Sequence, residues 1–458
     1  MVSLREFHST MDRYDLVIVG GGLVGGSLAC ALGGAGLRVC VVEAVAPTAE
    51  HQPSYDERVI ALSWGSRLIL EGVGLWSAIA AGAEPIRRIH ISDRGHFGFS
   101  RLDCRDEAVD ALGYVAPARL LGSAIQAKLG AVELLCPAHL VELGLQPGWV
   151  DLEVSCSGAP RRIRSRLLVA ADGGDSSIRK RLGFSVRERS YDHDALITTV
   201  TPDRPQSGVA FERFTDSGPL ALLPLTEGRY SVVWTARESE TPGLLALDDS
   251  AFLERLQARF GYRLGRFSHP GRRVAYPLKL LLTRDPVRPR LVLIGNAAHT
   301  LHPVAGQGYN LGLRDVAALA QVVSDSIREG GDPGEDRTLE AYRRLRGADQ
   351  ARVATLTDGL ARLFVNDWLP LRLGRDLGMV GLDLIPGVRH LLTRRFMGIG
   401  GRSPLLGRGL PLAPFGRPGA RATADPTGRG HPSPNPRAGP RPAGGGDAER
   451  GPRSESAT

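Results

Sequence analysis

The sequence predicts an α/β fold. A Rossmann-like nucleotide-binding domain comes in two parts, with an antiparallel β-sheet substrate domain inserted between them and a helical segment towards the C-terminus. Three observations predict it. Short apolar runs ending in glycine-bearing turns occur at 16–25, 167–173 and 291–296. From about 186 to 280 the chain breaks into short β-like runs with turn residues between them. Beyond the third turn the apolar spacing becomes helical, over 311–328 and 339–362. The expected boundaries are 13–185 and 281–345 for the two nucleotide-binding parts, 186–280 for the inserted sheet, 346–410 for the helical region and 416–458 for a disordered tail. Strands near 86–102 are candidates to join the inserted sheet.

In the first segment Leu16, Val17, Ile18 and Val19 read as a buried strand, and Leu23 onward, through Ala29, Ala31 and Leu32, as a helix. Gly20, Gly22 and Gly25 lie between them in G-x-G-x-x-G spacing. The first allows a tight turn, the second lets backbone approach a pyrophosphate, and the third permits close helix–strand packing. The helix N-terminus then offers free N–H groups to phosphate. Glu43 ends the next apolar run about twenty residues on, where a ribose hydroxyl is expected. A glycine-rich turn with no ligand is the plain alternative, but strand, helix, strand and acid in register favour a nucleotide. An acid at Glu43 argues for an unphosphorylated adenosine ribose, as in NAD or FAD.

Between the first two turns, Asp56-Glu57-Arg58 follows a polar loop and leads through an apolar run into a helix. The Arg58 guanidinium suits a phosphate, although on this stretch alone a surface ion pair with Asp56 or Glu57 is favoured. At the second turn, Ala171-Asp172-Gly173, Asp172 ends a strand and suits a nucleotide hydroxyl or bound water; a bare Asp-Gly turn is common. In the insert, Phe211-Glu212-Arg213-Phe214 precedes a Thr-Asp-Ser-Gly turn, and runs at 219–225 and 229–236 flank 226–228 as a hairpin. Such an insert is a usual place for substrate.

At the third turn Gly295 ends a strand and Asn296 is expected to open a helix, placing an amide beside a polyol. Pro303 and the Gly306-Gln307-Gly308 turn are poor in side chains, so a flat ring can approach the backbone, whose N–H groups would stabilise negative charge on it. His299 and His302 are candidates for acid–base work; without carboxylate or thiolate company they make a poor metal site. No second G-x-G-x-x-G follows a strand, and neither a G-x-S-x-G elbow nor a G-x-x-x-x-G-K-[ST] loop occurs. One nucleotide is therefore held firmly, and any reductant visits transiently.

Composition excludes several classes. With 458 residues, 42% hydrophobic and 23% charged, the chain supports two to three domains of ordinary globular material. The net charge of +8 is spread out and does not interleave clustered base with aromatics, which argues against nucleic acid. Five cysteines without a C-x-x-C pair fit neither a zinc site nor a disulfide framework. No apolar stretch reaches ~18 residues, and the N-terminus lacks an h-region. A cytoplasmic protein is expected, at most peripheral at the inner membrane face. The 360–397 stretch, with Trp368 among apolar residues and arginines, reads as a membrane-lying helix or, slightly preferred, a core-capping or oligomer-forming one. After Phe415 the chain is mostly Gly, Pro, Arg, Ser and Ala, with nothing to bury.

Taken together, G-G-G-L-V-G-G, D-E-R-V-I-A-L-S, A-A-D-G and G-N-A-A-H-T-L-H-P-V-A-G-Q-G-Y-N-L-G-L-R-D resemble the FAD-dependent aromatic hydroxylases. The stretches I-S-D-R-G-H-F-G-F, A-F-E-R-F-T, G-P-L-A-L-L-P and F-G-Y-R-L-G are similar to the ubiquinone-biosynthesis branch, closest to its polyprenyl-methoxyphenol hydroxylases. The resemblance spans about 14–397. It implies FAD, reduced by NAD(P)H and reacting with O2 to a flavin hydroperoxide that hydroxylates a polyprenylated methoxyphenol. By position, Gly20, Gly22 and Gly25 hold the pyrophosphate and Glu43 the adenosine ribose. Arg58, Asp172 and Gly173 support the nucleotide, Gly295 and Asn296 meet the ribityl or pyrophosphate groups, and Pro303, Gly306, Gln307, Gly308 and Asn310 line the isoalloxazine. The wider family usually has Gly-Asp at Gly295-Asn296; Asn keeps the acceptor but drops the charge. Phe211, Arg213, Leu223 and Trp234 are the candidates for the phenol pocket, although alternation does not say which face each occupies. The resemblance also implies contact with the membrane and with other ubiquinone-pathway proteins. A related hydroxylase of another aromatic or ring position, and a non-catalytic assembly component, are the alternatives.

Overall fold

The computed structural model describes residues 11–46, 58–95, 99–301, 307–365, 385–399 and 403–413. The expectations for His302, Pro303, Gly306, the Trp368 region and the 416–458 tail lie outside the described residues.

The three motif strands are neighbours in one eight-stranded sheet. Leu291–Leu293, Ala159–Ala170, Asp12–Val19, Val39–Val42 and Glu133–Leu135 run side by side in parallel. Val19 pairs with Ala170, and Ala170 with Leu293, so the three turns leave one edge of the sheet at the same level. Ligands bind at such carboxyl ends in open α/β sheets. The strands are apolar throughout because both faces are covered. Leu16, Ile18, Leu167 and Val169 pack under the helices Leu23–Gly33 and Gln307–Arg328, while Val17, Leu168 and Ala170 face a second cluster with Val150, Leu152 and Phe184. Antiparallel strands Ala138–Leu145 and Val150–Cys156 extend this sheet from Ala159–Ala170.

The second sheet has nine strands, ordered His299–Thr300, Val274–Thr283, Val186–Pro202, Tyr230–Arg237, Gly218–Pro224, Val209–Thr215, Arg88–Asp93 and Phe99–Asp103, with Phe267–Ser268 on Val186–Pro202. The strands expected near 86–102 thus join it. Its hairpin turns at Thr226–Gly228, as the sequence predicts. One face is sealed by the helix Asp249–Phe260: Leu196, Phe211, Leu220, Leu222, Tyr230, Val232 and Trp234 pack on Phe252, Leu256 and Phe260. We call this the outer face. Alternation turns Ala210, Glu212, Ala221, Leu223 and Val233 to the inner face. A third, small sheet joins Val59–Ser63, Gly113–Pro117 and Glu84–Ile86.

Trp234 is almost wholly buried against Phe252, with the Arg259 guanidinium over its ring. Trp234→Ala should therefore cost about 3–5 kcal/mol, read as a lower urea midpoint.

Candidate active site

The glycine turn is built with no room for side chains. Gly20 has φ +102°, and a Cβ there would fall 2.4 Å from the Ala171 carbonyl oxygen, so the first and second turns touch through backbone. A Cβ on Gly25 would fall 1.9 Å from the Gly20 carbonyl oxygen. Gly22 is the N-cap of Leu23–Gly33; no side chain caps the helix and no acid sits in its first turn. Its leading N–H groups are left for an anion. Glu43 reaches back over the turn: its Oε2 accepts from Gly21 N–H at 2.5 Å and its Oε1 from Val45 N–H at 2.8 Å.

The second turn supplies an uncommitted acceptor. Asp172 Oδ2 accepts from Ser177 N–H at 2.8 Å and from Ile178 N–H at 3.3 Å, while its Oδ1 is buried without a hydrogen-bond partner. A buried acceptor left unpaired is costly, so an oxygen held this way suits a ligand hydroxyl or water. Gly173 beside it has φ +84° and open space where a side chain would stand.

The third turn docks on the first. A Cβ on Gly295 would meet the Val24 side chain at 3.1 Å, and one on Gly312 would meet it at 2.8 Å. Asn296 is exposed, which leaves its amide available. It does not open an α-helix, however: Gly295–Ala297 is one 3-10 turn followed by the strand His299–Thr300, and the next described helix is Gln307–Arg328. The 3-10 turn is stopped because His299 and Thr300 pair with Leu282 and Leu281 of the second sheet.

Asp315, which the sequence reading did not single out, anchors this turn. Wholly buried, it accepts from Gly295 N–H at 3.1 Å and His299 Nε2 at 2.6 Å through Oδ2, and from Arg346 Nε at 2.8 Å and Gln350 Nε2 at 2.9 Å through Oδ1. Burial pushes its pKa up, but the charges of His299 and Arg346 outweigh it and hold the carboxyl well below its ordinary value. His299 is therefore a turn-holding residue, and no metal-binding group of His, Cys, Asp or Glu occurs among the described residues.

Asn310 fastens the third segment to the small sheet. Its Oδ1 accepts from Ser63 N–H and its Nδ2 donates to the Ala61 carbonyl, both at 2.9 Å. Its side chain thus holds strand backbone, whatever its backbone offers a ring. Gly308 lies in the first turn of Gln307–Arg328 with open space around its Cα, and Tyr309 meets Ser27 Oγ at 3.3 Å. Arg58, just before Val59–Ser63, stacks its guanidinium 5.1 Å from the Tyr276 ring centroid of the second sheet. Tyr276 pairs with Ala195 on the inner face, so Arg58 bridges the two sheets.

The phenol-pocket candidates divide between the faces. Phe211 and Trp234 are on the outer face, in the core under Asp249–Phe260, with Phe260 edge-on to Phe211 at 5.5 Å. Arg213 shares their alternation; burial and the nearby Arg94 and Arg263 lower its pKa. The expectations for Phe211 and Trp234 are corrected: strand periodicity gave two faces, and the helix claims theirs, while Arg213 lies on the same outer side. Leu223 is on the inner face and, like Val59, packs against the cluster of Ile86, Val115 and Ala210. Glu212, passed over between Phe211 and Arg213, shares that face.

Two variants test this assembly. Gly25→Ala should weaken flavin retention about ten- to hundredfold, since overpacking against backbone costs about 1–3 kcal/mol; flavin absorbance of the purified protein reads it. Asp315→Asn should cost about 3–5 kcal/mol at neutral pH, by leaving buried Arg346 with only the partly exposed Asp349 to balance its charge. Because the folded-state pKa of Asp315 is depressed, its contribution is complete above its ordinary 3.8 and is lost as pH falls through the depressed value. The urea-midpoint gap between wild type and D315N should therefore narrow below about pH 4.

The glycine cradle, the unpaired Asp172 oxygen and the open approach at Gly173 and Gly308 fit an extended dinucleotide. Comparison with known proteins agrees. Residues 13–356 match a family described as an FAD binding domain. The chain is 40% identical to the ubiquinone hydroxylase UbiL of Rhodospirillum rubrum, over 87% of this chain and 93% of that protein. It is 32% identical to the 3-demethoxyubiquinol 3-hydroxylase of Escherichia coli, over 82% and 96%. Its fold is similar to that of p-nitrophenol 4-monooxygenase PnpA from Pseudomonas putida, with TM-score 0.70 at 20% identity, over 86% of this chain and all of that one. The chain is an FAD-dependent aromatic monooxygenase, and it belongs to the ubiquinone-biosynthesis branch of that family.

Proposed function

We propose that this chain hydroxylates the ring of a polyprenylated methoxyphenol on the way to ubiquinone, with NAD(P)H and O2 as co-substrates. The observation that carries the reading is the meeting of the inner face with the nucleotide edge. Arg58 stacks on Tyr276, Leu223 and Val59 pack against one cluster, and Asn310 grips Ser63, so a ring lying on the inner face is next to the third turn. The relatives' named substrates, ubiquinone-pathway compounds, suit such an apolar plate.

In this reading parts 13–185 and 281–345 hold the cofactor and 186–280 the phenol. Gly20, Gly22 and Gly25 cradle the pyrophosphate, Glu43 and Asp172 with Gly173 take nucleotide hydroxyls, and Arg58 balances phosphate charge. Gly295 and Asn296 meet the ribityl chain, and Pro303, Gly306, Gln307, Gly308 and Asn310 border the flavin ring. Bound FAD supplies the oxygen-activating redox chemistry. The protein's share is to orient the ring, exclude water and manage protons.

No described helix is long and apolar enough to cross a membrane. Access to a lipid-borne substrate is assigned to Pro386–Phe396, where Val388 and Leu391 are exposed near Arg394 and Arg395. Leu391→Glu should reduce co-sedimentation with anionic vesicles severalfold while flavin content is unchanged; equal binding by wild type and variant would remove that assignment.

The catalytic reading is tested with purified, FAD-loaded protein and a short-chain prenylphenol. The phenol should stimulate NAD(P)H oxidation, and one atom of labelled O2 should appear in the product. NAD(P)H consumption with no labelled product would overturn the hydroxylase assignment.

A further inference from the structure

The inner face carries a carboxyl, Glu212, that the cofactor site does not use. In the strand Val209–Thr215, Glu212 pairs sideways with Ile91 and Ala221, and the same row continues through Val233 and Ile197. Its carboxyl therefore stands in an apolar row. Along its own strand the same-face neighbours are Ala210 and Phe214, and diagonally it has Leu223 and Ile89. Ile89, Ile91 and Trp64 pack against the same cluster of Leu102, Cys104, Leu112 and Met397, and Trp64 directly follows the Ser63 held by Asn310. The row that carries the carboxyl thus shares an apolar cluster with the end of the strand that borders the third turn.

Glu212 is deeply set yet partly accessible, and among the described residues it has no hydrogen-bond partner. Burial alone pushes its pKa up from 4.5 to about 7. Of the charged residues on the flanking elements, Asp93 shares the face on Arg88–Asp93, and Gly218–Pro224 carries none. The helix Asp336–Val365 also lies against these strands, and its sequence beyond Asp349 includes Arg352, Asp358 and Arg362. A carboxyl without a partner, set in an apolar row and only partly open to water, is held at a cost in stability, which points to a functional reason for it.

We propose that Glu212 is the catalytic base that accepts the proton of the substrate's phenol hydroxyl. The assignment rests on the phenol-hydroxylase reading. As the ring attacks the oxygen atom derived from O2, the phenol O–H bond breaks, its electron pair moves toward the ring, and the proton passes to a Glu212 carboxylate oxygen. NAD(P)H provides two electrons, one oxygen atom enters the ring and the other leaves as water. Loss of the ring hydrogen as a proton restores aromaticity, and Glu212 returns its proton to the phenolate oxygen or to solvent. A carboxylate of raised proton affinity is closer to a phenol's ordinary pKa of about 10 than an exposed one, which favours transfer in the transition state.

The test compares FAD-loaded wild type, Glu212→Gln and Glu212→Asp on a short-chain prenylphenol and its more acidic ring-fluorinated counterpart. Flavin absorbance and thermal midpoint verify that each variant is folded. Wild-type kcat/KM should rise with pH through a limb near 7, because the base acts only when ionised. Glu212→Gln should lose that limb and fall about 100- to 10,000-fold on the ordinary phenol. It should recover most of the loss on the fluorinated one, with Glu212→Asp intermediate. A retained limb in Glu212→Gln, or equal losses on both phenols, overturns the assignment to Glu212. Absence of hydroxylation by the wild type overturns the underlying reading instead, and the base with it.

Discussion

The approach of the helix Leu23–Gly33 to the carboxyl edge of the parallel sheet sets the position of everything else in the site. At Gly25 the helix backbone sits where a single carbon atom would collide with the Gly20 carbonyl oxygen. Gly20 is pressed against Ala171 in turn, and Val24 fills the hollow at Gly295 and Gly312. The first two turns are brought together by contact between backbones, which do not adjust by changing rotamer, and the third packs its glycines on the Val24 side chain. Close-packed interiors transmit such constraints over their whole extent. The uncapped helix N-terminus and the free Asp172 oxygen end up on the same edge as a consequence.

A second layer of order comes from charge. Asp315 spends both of its oxygens inside the protein, on a backbone N–H, a histidine, an arginine and an amide. Arg346 in turn is shared with Asp349, which also receives Arg314. Buried charges of this kind are tolerated when every group has a partner, and here the partners come from both long helices and the third turn. The turn that shows backbone to the ligand is thereby held from behind by a fixed electrostatic frame.

Much of this was legible in the sequence, and the boundary is instructive. The parallel strands read well because both faces are buried, so their composition is apolar without interruption. The glycine turn and Glu43 read well because their spacing is a direct image of backbone geometry. Facing was not legible in the inserted sheet: Phe211 and Trp234 look like ligand-binding aromatics until the helix Asp249–Phe260 is seen to cover them. Glu212 was hidden for the same reason, since a lone acid among alternating residues looks like the solvent side of a strand. Asp315 and Arg346 lie thirty-one positions apart and meet only through tertiary packing. Asn296 was assigned to a helix because no local signal announces that His299 and Thr300 will pair with a distant strand.

The two faces of the nine-stranded sheet divide the demands made on it. The outer face, with Tyr230, Trp234 and Phe252, carries the packing that keeps the layer folded. The inner face mixes small and medium side chains, Ala210, Ala221, Leu223 and Val233, with Glu212 and the rings of Phe214 and Tyr276. Substitutions far enough apart and without shared partners act nearly independently. Inner-face side chains that touch no core cluster can therefore change in size while the outer face preserves foldability. A single scaffold can in this way acquire new aromatic substrates by neutral steps, which is how one fold comes to host many chemistries.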